Sequence, residues 1–278
     1  MLTYPLWCLG QLAIEDWGWT GLSKYGIQKY FNRSFILCAI AGVLMMRPRF
    51  GASGERFVSS NFERSSLVCV GLVLGTAAFA VLMAAGFGFS CIAPSGGRAL
   101  VKVAGKALLA AVVVGYLEEW LFRKHFLNAI CHRFGLSVGQ VLLAVLFASV
   151  HFLKPVAPPA GLEVDGWVGF RLLPMVFHQY SNLTAILGGW LTLFALGMLL
   201  SRLAIGSGVI WPAVGVHVAV IFWNKVLSSQ FAVQQCKPWF AGNFQTGLIP
   251  LMTLGVMAVW AAEAVRIHPA PKDSELRG

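Results

Sequence analysis

Charge is what this chain has least of. Only 12% of its 278 residues are Asp, Glu, Lys or Arg, about half the usage of soluble domains. With 58% hydrophobic residues and a mean hydropathy of +0.73, that scarcity excludes a large-cored soluble protein. It fits a polytopic helical membrane protein instead. Paired metal-ligand spacings are also missing. The six cysteines, Cys8, Cys38, Cys69, Cys91, Cys131 and Cys236, form no CxxC and no zinc-finger spacing, and there is no HExxH. No Lys or Arg precedes Lys24, and Glu15 and Asp16 interrupt the first apolar part, so the start does not read as a secretory signal peptide. No internal repeat, low-complexity block or nucleic-acid module is present. The net charge of +10 lies mostly beside apolar runs, where basic loops meet anionic headgroups.

What remains is a series of apolar runs at about 30–46, 66–90, 107–130, 137–154, 183–201, 208–228 and 247–265. Each approaches the ~20 residues needed to cross a bilayer. The predicted fold is an all-α polytopic integral membrane protein of seven or eight transmembrane helices in a single bundle. Residues 1–30 read as a short first span or an interfacial segment, with Trp7, Trp17 and Trp19 suited to headgroup level. Residues 31–266 form the bundle, and 267–278 a disordered tail. The longest loop, 155–182, turns apolar from Trp167 to Phe177, as suits a segment on the membrane surface or folded over the bundle. Gly71-x-x-x-Gly75 has the spacing for close helix contact within one chain. Cys91 and Cys236 fall in loops that alternation puts on one side, although spacing alone makes no disulfide. Lys and Arg divide almost evenly between the two sides. The four arginines Arg47, Arg49, Arg56 and Arg64 favour the cytoplasm for the 47–65 loop.

Four polar clusters interrupt the apolar runs. Glu118 and Glu119 lie in the third, although a carboxylate at the bilayer centre costs at least ~2.5 kcal/mol. Glu119 and Arg123 are four apart, so they share a helix face and can pair. Glu118 points about 100° away, towards another neighbour. His151 ends the fourth run, with Phe147 four residues before it. His217 has Asn224 two turns further along. A looser group, His178, Gln179, Tyr180 and Asn182, sits at the mouth of the fifth run.

A hairpin turning near 134–136 puts Glu118 and His151 each ~24 Å from the turn, at similar depth. His217 is shallower, ~16 Å from the same face by its distance from Gly206, a gap that helix tilt can close. A buried carboxylate base, a helper imidazole and a hydrogen-bond donor are what water attack on an amide requires. Each residue also has a plainer reading: a lone histidine bonding the next helix, or a structural ion-pair network.

These residues resemble the CPBP family of intramembrane glutamic endopeptidases, which includes the Rce1-type CAAX proteases. Glu118-Glu119-Trp-Leu-Phe-Arg123 is similar to its EExxxR motif and Phe147 to His151 to its FxxxH motif. Gly206 to His217 is similar to the stretch leading to its third motif. Position 221 is Ile where that motif places Asn, and Asn224 follows three residues later. The resemblance covers about 107–228. It implies a cofactor-free protease acting on a membrane-associated protein or peptide, of which a prenylated CAAX tail is one class. It also implies that Glu118 is the base and His151 its partner, and that His217 with Asn224 stabilises the oxyanion, while Glu119 and Arg123 tune Glu118. A bacterial cytoplasmic membrane is the expected location. The alternatives are a zinc-dependent protease liganded by Glu118, His151 and His217, and a non-catalytic scaffold or proton-coupled transporter. Oligomeric state is not legible.

Overall fold

The computed structural model describes residues 2–16, 26–27, 30–31, 34, 37–38, 41–42, 45, 66–88, 92–94, 99–153, 161–233, 250–257 and 259. In chain order the described helices include α1 (Thr3–Glu15), α2 (Ser66–Gly88), α3 (Leu100–Glu119), a π-helical segment (Trp120–Leu127) and α4 (Asn128–Phe134). Then come α5 (Leu136–Val150), α6 (Val168–Leu172), a 3-10 segment (Pro174–Ser181), α7 (Leu183–Ser207) and α8 (Trp211–Gln230). One short antiparallel pair, β1 (Ile92–Pro94) and β2 (Phe231–Val233), joins the residues after α2 to those after α8, with Ile92 opposite Val233. Among the described residues the chain is thus helical with one small ribbon that the sequence reading did not anticipate. The tail 267–278 and the cysteines Cys91 and Cys236 lie outside the described residues, as does most of the 30–46 run.

Among the described residues, three helical stretches are long and apolar enough to cross a membrane: Leu67–Ala84, Leu100–Phe134 and Leu183–Ser207. They make this a helical integral membrane protein. Their outward residues include Val101, Leu109, Val73 and Leu183, apolar side chains that cost nothing against lipid tails. At 13 residues, α1 falls short of the ~20 that cross.

The chain divides into two compact units. The first comprises residues 1–49 and 149–187. Its core is Ile27, Phe31, Val168, Leu172 and Val176, with Tyr4 and Trp7 against it. The apolar stretch of the long loop therefore has a helical partner of its own. Thr3 and Ser34 share a buried hydrogen bond of 2.8 Å. Arg171 donates to the Asp165 carboxylate at the surface.

The second unit comprises residues 50–148 and 188–278 and is centred on α8. Every residue from Pro212 to Ala219 is buried, because α2 and α3 pack along this helix. The close approach to α2 follows from small residues on both sides. A Cβ on Gly71 would overlap the Pro212 carbonyl oxygen, and one on Gly215 would overlap that of Val68. Gly75 faces Ala219 one turn further on, where an added Cβ would meet its Cβ at 2.6 Å. The Gly71-x-x-x-Gly75 spacing thus serves an intrachain contact, as its sequence implied. Gly71→Val is expected to cost about 3 kcal/mol, the upper end of ordinary overpacking, because a backbone atom cannot rotate away. Unfolding of both proteins in mixed micelles measures it.

Gly135, at φ +81°, ends α4 and turns the chain into α5 where the hairpin was predicted. The turn between α7 and α8 does not sit at the same level. Trp211 stacks on Tyr116 at 6.0 Å, and Tyr116 lies roughly 27 Å along the helix from Phe134. α8 therefore starts well inside the level of the Gly135 turn. Val209 and Ile210 are buried just before it, with Gly208 at φ +67° making the reversal. This recessed start removes the depth gap expected for His217.

Candidate active site

Glu119 ends α3, and Arg123 follows it on the π-helical segment. Both are fully buried. They pair as their spacing predicted, with Arg123 Nη1 donating to Glu119 Oε1 at 2.9 Å. A π-helical segment is rare and concentrates at functional sites. Here it directly follows the two glutamates.

A buried ion pair is stable only when other groups compensate the lost water. Three do so here. Arg123 Nη2 donates to the Gly197 carbonyl of α7 at 3.3 Å. The guanidinium carbon lies 4.5 Å from the centroid of the Phe147 ring, a cation–π contact. His217 Nδ1 lies 2.7 Å from Glu119 Oε1, the same oxygen that receives Arg123. Gly197 is itself a close-approach position, since an added Cβ would meet Ala144 Cα and Phe147 at 3.2 Å. The absence of a side chain there lets α5 and α7 bring the ring and the carbonyl to one guanidinium.

Glu118 occupies a different environment one residue away. Its side chain is 28% exposed, against 0% for Glu119, and its Oε2 lies 3.7 Å from His217 Nε2. One imidazole therefore stands between the two carboxylates, a short hydrogen bond on one nitrogen and a looser approach on the other. The two neighbours differ in burial, Glu119 fully enclosed and Glu118 partly exposed, as expected for adjacent residues about 100° apart on a helix.

Glu118, Glu119, Arg123 and His217 thus converge in the second unit. Asn224 lies two turns beyond His217 on α8, and its Oδ1 accepts from Ser228 at 3.4 Å. That bond leads away along the helix from His217. His151 follows α5 directly in a turn of the first unit. In that unit Tyr180 donates to the Ser149 carbonyl at 2.6 Å. The looser polar group at the fifth run resolves partly into capping. Asn182 Oδ1 accepts from the Ala185 backbone N–H at 3.2 Å and the Thr184 hydroxyl at 2.8 Å, so it caps α7.

The contacts of two buried rings were not legible in the sequence. Phe147 was read as a neighbour of His151, yet its ring lies edge-on to His217 at 5.8 Å and to Phe122 at 5.3 Å and faces Arg123. His125, on the π-helical segment, is buried with its ring edge-on to Trp120 at 4.5 Å. The FxxxH motif singled out Phe147 but not its contacts with Arg123 and His217. Among the described residues, no group of three or more His, Cys, Asp or Glu is arranged to hold a metal ion.

With this geometry in hand, residues 100–223 match the family described as Type II CAAX prenyl endopeptidase Rce1-like. The match covers a little under half of the chain and takes in the two glutamates, Arg123, His151 and His217; Asn224 lies one residue beyond it. It is the family the motifs resembled, and it supports a membrane hydrolase of the protease class. Comparison with curated proteins and with solved structures gives no match.

Proposed function

We propose that the chain is a glutamate-dependent intramembrane endopeptidase that hydrolyses a peptide bond in a membrane-associated protein or peptide. The observation that carries the reading is His217, bonded to buried Glu119 on one nitrogen and facing half-buried Glu118 on the other. A structural ion pair needs no second carboxylate beside it, whereas water attack needs an accessible base. Glu118 is that base. It removes a proton from water as the oxygen attacks the carbonyl carbon. His217 faces the developing oxyanion, and Glu119 with Arg123 holds it there. His151 is assigned as the helper imidazole, and Asn224 as a further oxyanion donor, on the motif resemblance alone.

The same reading carries the seven-or-eight-span count and a bacterial cytoplasmic membrane location. It involves neither a nucleic-acid partner nor a cofactor. A prenylated tail is one substrate class that the matched family's description names.

The test uses purified chain in lipid nanodiscs, incubated with membrane proteins of the native host, with new termini mapped by mass spectrometry. Termini that appear with the enzyme and persist in excess chelator are expected. Their loss on chelation, with recovery on adding zinc, would transfer the chemistry to a metal. No new termini from folded protein would favour the scaffold or transporter.

A further inference from the structure

We propose that Glu119 fixes His217 with its hydrogen on Nδ1, so that Nε2 receives the proton Glu118 takes from water and returns it to the departing amine. The inference rests on the protease reading and deepens it.

The hydrogen placement follows from the contacts. Glu119 Oε1 accepts from the Arg123 guanidinium at 2.9 Å, so this oxygen acts as an acceptor. The imidazole nitrogen 2.7 Å away must then carry the hydrogen. In a neutral ring the other nitrogen is an acceptor. That nitrogen, Nε2, is the one facing Glu118 Oε2 at 3.7 Å. His217 cannot donate to an oxyanion in this state, because Nε2 has nothing to donate. It becomes a donor only when protonated there, and Glu118 is the neighbour that can supply the proton. Catalytic contacts that are long before substrate binds commonly shorten in the bound complex.

Two further elements reach the Arg123 guanidinium. From α5 comes the Phe147 ring, and from α7 the Gly197 carbonyl. The small residues of α2 face α8.

The steps conserve atoms and protons. The water oxygen bonds to the carbonyl carbon, and its proton passes through Glu118 to His217 Nε2. The imidazolium then donates to the oxyanion. As the C–N bond breaks, the amine nitrogen takes the Nε2 proton. A carboxylic acid and an amine leave, with Glu118 and His217 as they began. Glu119 acts through His217 and is a positioning residue.

Two measurements test this. The first is nitrogen NMR of the full chain in nanodiscs with labelled histidine, His217 being assigned by the signal lost in His217→Gln. A neutral ring protonated at Nδ1 is expected; a hydrogen on Nε2 overturns the placement. The second compares a peptide spanning a bond the wild type cleaves with its ester analogue. Glutamine at 217 can still donate a hydrogen bond but cannot carry a proton. An alkoxide needs less protonation than an amine to depart. His217→Gln is therefore expected to lose ~10²–10⁴-fold on the amide and at least tenfold less on the ester. Equal losses overturn the proton-carrier role while leaving the protease reading intact. Should His217→Gln fail to fold, Glu119→Gln replaces it, with the same selective loss expected and a shifted tautomer signal. A wild type that cleaves neither compound removes the protease reading and the proton-carrier role with it. The hydrogen placement is then decided by the NMR alone.

Discussion

Arg123→Leu is expected to lower stability by about 3–5 kcal/mol, the range for breaking one side of a buried ion pair. The reason lies in what the leucine leaves behind. Glu119 would remain fully buried, keeping its contact with His217 but losing the cation of its pair. The Gly197 carbonyl and the Phe147 ring would also lose their cation. Arg123→Lys restores the charge but not the planar fork that meets Glu119 and Gly197 together, so it should recover only part of the loss. Unfolding in mixed micelles with wild type alongside checks both. A change under about 1 kcal/mol for the leucine variant would mean the pair is not the organising contact described here.

The second large effect falls on turnover rather than stability. Glu118→Gln keeps the shape of the side chain and removes its basicity. At 28% exposure the side chain is not buried in the way Glu119 is, so the fold should tolerate the change. Loss of a general base typically costs 10²–10⁴-fold in rate, and a loss of at least ~10²-fold is expected here. The contrast between the neighbours is the informative part. Glu118→Gln should lose activity with little stability, whereas Glu119→Ala should lose both.

Much of this was legible wherever one helix decides the outcome. The Glu119–Arg123 pair follows from a four-residue spacing, the different surroundings of Glu118 from the angle between adjacent residues, and the reversal at Gly135 from a single residue. Gly71 and Gly75 announced a close helix contact, and the contact exists. What could not be read depends on which helices meet. The bond from His217 to Glu119 requires α8 to start opposite Tyr116 rather than at the level of the Gly135 turn. That recess is set by buried Val209 and Ile210 and by the absence of side chains at Gly71 and Gly215. Phe147 shows the same limit. Its spacing to His151 is a one-helix relation, while its contacts with Arg123 and His217 come from α5 resting on Gly197 of α7. The π-helical segment leaves no mark in composition, because it changes the backbone ladder and not the apolar pattern. The apolar part of the long loop was visible, but its partners Ile27 and Phe31 lie more than a hundred residues away in sequence.

The most direct test of the central claim is cleavage by wild type and Glu118→Gln, both confirmed as folded, on the same native membrane extract in nanodiscs. Termini are mapped by mass spectrometry with chelator present throughout. New termini produced by wild type and absent with Glu118→Gln are the predicted result. Equal termini from both proteins would remove Glu118 as the base and contradict the glutamate mechanism.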